Sequence, residues 1–106
     1  MPAKLIMLYP TPKDPAEFER RYHAEHMPLM RRLVGPDVPL PTWKVHPKVA
    51  ELTGIYRVSE IVFPDRASLE AALAPGRIEE GRRSAERLST GGPPTALIVN
   101  QDEPGV

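Results

Sequence analysis

The chain contains no cysteine, no surplus of either charge and no long apolar run. Without cysteine, disulfides, thiolate chemistry and thiolate metal sites are all excluded. Fourteen basic and fourteen acidic residues give a formal net charge of zero. Such a chain has no long-range field to gather a phosphate backbone, so no nucleic-acid partner is expected. Even the arginine-rich stretch Arg77 to Arg87 is interleaved with Glu79, Glu80 and Glu86, the pattern of a solvated helix face. No segment approaches the ~20 apolar residues of a membrane span, so no membrane association is expected. Met1-Pro2-Ala3-Lys4 leads straight into a strand-like run and lacks the features of a signal peptide, which makes the cytoplasm the default location. A phosphate cradle is also missing: Gly91-Gly92 runs into Pro93-Pro94, which have no backbone N–H to offer. No cofactor is expected on these grounds.

What is present fits one domain over residues 1–106. Fourteen prolines and seven glycines stay below the roughly 25–30% that marks a disordered chain, and they punctuate periodic segments. Lys4 to Tyr9 reads as a strand. Asp14 suits a helix N-cap, Pro15 the first helical position, and Glu17 follows three residues after the cap. The helix is expected to run to Leu33 and to kink or break near Glu25 to Met27, because Pro28 lacks an N–H and clashes one turn back. Thr42 to His46 alternates like a strand, and Pro47 to Gly54 reads as a connection. Ile55 to Phe63, rich in β-branched and aromatic residues, is the most strand-like segment. A short helix capped by Asp65, a further helix over Ile78 to Leu88, and a last strand over Thr95 to Val99 complete the chain, with a mobile tail from Gln101 to Val106.

The order β-α-β-β-α-β predicts an α+β, ferredoxin-like fold: a four-stranded antiparallel sheet with helices on one face. The strands carry apolar residues on both faces. Leu5, Met7 and Tyr9 with Leu97 and Val99 alternate with Ile6, Leu8 and Ile98. Helices cover only one face, so a second copy of the chain is expected to cover the other, giving a homodimer packed sheet to sheet.

Phe18, Tyr22 and His26 are spaced by four and lie along one helix face with Leu29 and Leu33, the face turned to the core. An imidazole there fits two readings. It can be a core histidine bonded to a backbone carbonyl, or an acid or base working near neutral pH. Tyr22 can orient a carbonyl or simply pack. Tyr56 and Glu60 share one face of their strand, and Arg57 and Ser59 share the other; charges there must be solvated, paired or lining a cavity. His23 and His26 with Glu25 resemble a metal pair only loosely, and His-Glu-x-x-His is absent, so no metal is expected.

Tyr9-Pro10, the pattern Phe18-x-x-x-Tyr22-x-x-x-His26-x-Pro28-Leu29, Tyr56 to Phe63, Leu69 to Leu73 and the late Gly91-Gly92 together resemble the EthD family of the dimeric α+β barrel superfamily. The resemblance covers nearly the whole chain in order. It implies a dimer with a pocket between helix and sheet in each subunit. In that pocket His26 and Tyr22 would be catalytic, and Tyr9, Phe18, Tyr56 and Glu60 would contact a small organic ligand. Relatives in the superfamily include cofactor-independent monooxygenases and small isomerases. The chain departs from the family in its proline-dense connection Val34 to Pro41 and in Leu88, where an aromatic residue is usual. These changes reshape the pocket mouth, so substrate identity does not carry over. The resemblance therefore implies a cofactor-independent oxidoreductase or isomerase acting on a small apolar compound. The alternatives are a non-catalytic, metabolite-binding accessory of a degradation pathway and a ligand-free structural barrel.

Overall fold

A computed structural model describes residues 1–101; residues 102–106, most of the expected mobile tail, lie outside the described residues. Four strands, β1 (Ala3–Pro10), β2 (Thr42–Lys44), β3 (Ile55–Phe63) and β4 (Thr95–Asn100), form one antiparallel sheet in the order β2-β3-β1-β4. The helices are α1 (Pro15–Arg21), α2 (Met27–Val34), α3 (Pro47–Thr53), α4 (Arg66–Ala72) and α5 (Glu79–Leu88). This is the ferredoxin-like α+β arrangement that the sequence predicts.

The local signals explain most boundaries. Asp14 accepts from the Glu17 N–H at 3.1 Å and Asp65 from the Ser68 N–H at 2.7 Å, so both act as N-caps. Between α1 and α2 the chain forms a π-helical turn, Tyr22–His26, in which the Met27 N–H bonds the Tyr22 carbonyl five residues back. Pro28 has no N–H for the Ala24 carbonyl, and the widened turn is how the helix passes this gap without ending. The distortion starts a turn earlier than the expected kink, at Tyr22.

Two elements differ from the sequence reading. Pro47 to Thr53 is a helix, not a connection: His46 accepts from the Lys48 N–H at 3.2 Å, Pro47 takes the first helical position and Gly54 closes the end at φ +75°. β2 stops at Lys44, two residues short of the expected end.

Register assigns the faces. Ala3, Leu5, Met7 and Tyr9 lie opposite Phe63, Ile61, Ser59 and Arg57. Ala3, Leu5, Ile61 and Phe63 pack with Met30 and Leu69 in one half of the core. Tyr9 joins Phe18, Tyr22, Tyr56, Ala85 and Leu88 in the other. On the open face Ile6 lies opposite Glu60 and Leu97, and Leu8 opposite Val58 and Thr95. Leu97 and Val99 therefore share a face with Ile6 and Leu8, while Ile98 sits opposite Leu5, the reverse of the alternation expected for β4. All six residues of β4 are exposed in the single chain.

Candidate functional site

Five of the six candidate residues meet between the α1–α2 helix and the sheet. Tyr9 comes from β1, Phe18 from α1, Tyr22 and His26 from the π turn, and Tyr56 from β3. Their rings lie edge-on or stacked at centroid distances of 5.5 to 6.0 Å. A shift in register between Tyr9 and Pro10 lets both Tyr56 and Arg57 reach α1, where the phenol donates to Glu19 at 2.6 Å and the guanidinium pairs with the same carboxylate. Glu60 stands outside this ring cluster, although it borders the cavity beside it. Its carboxylate binds Lys4 at 2.7 Å and accepts from the Trp43 indole at 2.8 Å, and these bonds hold it below the usual carboxylate range.

A cavity of about 170 Å³ opens beside this cluster. Tyr9, Tyr22, His26, Ser59, Glu60 and Arg82 supply its polar lining, and Leu5, Met7, Met27, Met30, Ile61, Ile78 and Ala85 make the remainder largely apolar. Phe18 and Tyr56 stand behind that wall and do not line the cavity.

His26 is 5% exposed. Burial disfavours its charged form and pulls its pKa down to about 4, so the ring is neutral at pH 7. Nδ1 lies 2.9 Å from the Ser84 hydroxyl and Nε2 lies 3.4 Å from the Tyr9 hydroxyl. Burial, and then the nearby Tyr22, push the Tyr9 phenol well above its ordinary value, keeping it a hydrogen-bond donor.

A second polar network flanks the first. The Tyr22 hydroxyl shares hydrogen bonds with Thr42 at 2.8 Å and with Ser59. Arg57 donates to Thr42 at 3.0 Å, binds both Glu19 oxygens at 2.7 and 2.9 Å, and places its guanidinium 4.6 Å from the Tyr22 ring centre. Burial pulls the Glu19 pKa upward, but the bonds from Tyr56 and Arg57 and the charges of Arg57 and Lys44 outweigh it, and the carboxylate sits below its ordinary value. Burial and the bond to Glu19 push the Tyr56 phenol up to about 12.

The site also holds Ser84, Thr42 and Glu19, which no motif in the sequence marks. They lie 58, 20 and 37 or 38 residues from the partners they meet, and no local spacing reports such contacts. Among the described residues no three His, Asp or Glu side chains form a metal-ligand group, and no helix is long and apolar enough to cross a membrane.

A four-stranded antiparallel sheet in the order β2-β3-β1-β4, with a cavity between it and its helices, makes this a ferredoxin-like α+β protein. A family model described as the EthD domain matches residues 11–83, and the chain belongs to the EthD family. A solved structure of an ethyl tert-butyl ether D family protein from Bacillus halodurans C-125 is 24% identical, covers 96% of this chain and 100% of its own, and superposes with a TM-score of 0.77. A dimeric ferredoxin-like protein of unknown function from Jannaschia sp. CCS1 is 14% identical over 94% of this chain and 98% of its own, with a TM-score of 0.66. SnoaB, a cofactor-independent oxygenase from Streptomyces nogalater, is 17% identical over 97% of both chains, with a TM-score of 0.54. These three likenesses establish the fold. No curated protein matches the sequence significantly.

Proposed function

We propose that this protein binds a small, mostly apolar organic molecule in the cavity beside His26 and removes a proton from it. His26 would act as base and Tyr22 would orient the substrate. The carbanion formed would then be isomerised, or oxidised by dioxygen without a cofactor. The observation that carries this reading is a neutral imidazole on the wall of an apolar cavity. A base must be unprotonated to accept a proton, and a dry site strengthens every polar contact within it. SnoaB, which shares the fold, is a cofactor-independent oxygenase, and this supports the same chemistry.

The working unit is a homodimer. Ile6, Leu8, Val58, Leu97 and Val99 lie on the face without helices, and Trp43, 58% exposed, joins them at the sheet edge. A contiguous apolar face of this kind marks an interface, and the Jannaschia protein of the same fold is described as dimeric.

The chemistry is tested by hydrogen–deuterium exchange of a single-ring ketone such as acetophenone in D2O, followed by NMR. The protein accelerates exchange at the carbon next to the carbonyl, and His26→Ala removes at least about a hundredfold of that acceleration. Unchanged exchange in His26→Ala ends the assignment of His26. Binding with no exchange at all leaves the metabolite-binding reading in its place.

A further inference from the structure

Ser84 and the charge balance of the cavity narrow the ligand. Ser84 sits on α5, buried, with its hydroxyl 2.9 Å from His26 Nδ1, while the phenol of Tyr9 is 3.4 Å from Nε2. A neutral imidazole carries one proton, so one nitrogen donates and the other accepts. A phenol is a far stronger acid than an aliphatic alcohol, and its oxygen is the weaker acceptor. The better-matched pairing has Nδ1–H donating to Ser84 Oγ and the Tyr9 hydroxyl donating to Nε2. The length of the second bond makes it the weaker one. Nε2 is thereby left as an acceptor at the cavity wall, held only loosely by Tyr9 and free to take a better donor.

Two lining residues carry charge, and both are neutralised outside the cavity. Glu60 pairs with Lys4, and Arg82 is bound by Glu79 and Glu86. Arg57 does not line the cavity; its terminal nitrogens bind Glu19 and Thr42, and its buried Nε has no partner among the described residues. Among these residues the cavity lining thus offers an anionic ligand no unpaired cation. The cavity, about 170 Å³, is close to the roughly 150 Å³ that accepts one benzene ring.

We propose that the site selects an uncharged single-ring phenol or enol, whose hydroxyl donates to His26 Nε2, and that Ser84 is the positioning residue that fixes Nε2 as the acceptor. This deepens the proposed function and rests on its cavity. The step is a hydrogen bond in the resting complex. When the base acts, the O–H bond breaks, its electron pair stays on oxygen and the proton passes to Nε2, leaving a phenolate or enolate beside an imidazolium whose Nδ1–H remains on Ser84.

The test uses the full chain with phenol, anisole and benzoate, read by calorimetry and by the ¹⁵N resonances of the His26 ring. Phenol binds about five-fold more tightly than anisole, which has the same ring and no O–H, and benzoate binds more weakly than phenol. His26 is protonated on Nδ1. Ser84→Ala mixes the two tautomers and narrows the gap between phenol and anisole, and Ser84→Thr, which keeps the hydroxyl, restores both. Anisole binding as well as phenol, benzoate binding best, or a wild-type His26 protonated on Nε2 overturns the inference while leaving the cavity a ligand site. Failure of both phenol and anisole to bind overturns the inference and the proposed function together.

Discussion

His26 makes the stability of this protein depend on pH between about 4 and 6.5. Burial lowers its pKa to about 4 in the folded chain, against about 6.5 when unfolded. Between these values the unfolded chain binds a proton that the folded chain refuses, so stability falls as pH falls. At pH 7 the folded ring is neutral and the unfolded one mostly so, and little is lost. At pH 5 the unfolded chain is mostly protonated and the folded one is not, which removes about 2 kcal/mol of stability. Below pH 4 the loss levels off at about 3 kcal/mol. The assay is urea unfolding at pH 7 and pH 5, at one fixed protein concentration because dimerisation adds to stability. His26→Gln cannot titrate, so the pH 7 to pH 5 drop in the wild type exceeds that in the variant by about 2 kcal/mol. The carboxylates held low, Glu19 and Glu60 among them, lose their contribution mainly at lower pH and cancel in the comparison. Equal drops in the two proteins would show that the imidazole is not desolvated and that the reading of the site is wrong.

Glu19→Gln leaves Arg57, which is 5% exposed, without its counter-charge and lowers the urea-unfolding free energy by about 3–5 kcal/mol. A loss below 1 kcal/mol would mean the pair is solvated. At Gly81 a Cβ would lie 2.6 Å from the Met30 sulfur, the flexible end of a cavity-lining side chain. Gly81→Ala therefore keeps stability within about 1 kcal/mol, the helix-propensity gain offsetting the contact, and weakens phenol binding. Gly91→Ala would place its Cβ 1.9 Å from the Thr11 carbonyl oxygen, a backbone atom, and lowers the melting temperature well below that of Gly81→Ala. Light scattering finds twice the chain mass in the wild type and the single-chain mass in Leu97→Asp. A wild-type monomer at micromolar concentration contradicts the sheet-to-sheet dimer.

Much of the fold was legible because its signals are local. Asp14, Pro15 and Asp65 mark helix starts whatever the tertiary structure does, and the β-branched run Ile55 to Phe63 coincides with β3. α3 was missed for a physical reason. Leu52 is 87% exposed and Ala50 is its only buried residue, so the helix shows no apolar periodicity and rests on its His46, Pro47 and Gly54 ends. Tyr22 and His26 were legible at the site because a spacing of four puts them on one face, and the π turn keeps both buried. Tyr56 and Glu60 looked like neighbours under strict alternation. The irregularity opposite Tyr9 turns Tyr56 toward Glu19, while Glu60 stays on the open face with Lys4. Ser84 carried no signal at all, since a serine inside a charged helix is ordinary until the fold brings His26 against it.

The central claim is that His26 borders an open, apolar, ligand-accepting cavity and is not sealed in a filled core. A crystal of the protein pressurised with xenon tests it most directly, because xenon enters dry apolar cavities of this size. A xenon atom is expected within the space bounded by His26, Met30 and Ile61. A cavity closed by the Met27 and Met30 side chains, with no xenon beside the imidazole, would contradict it.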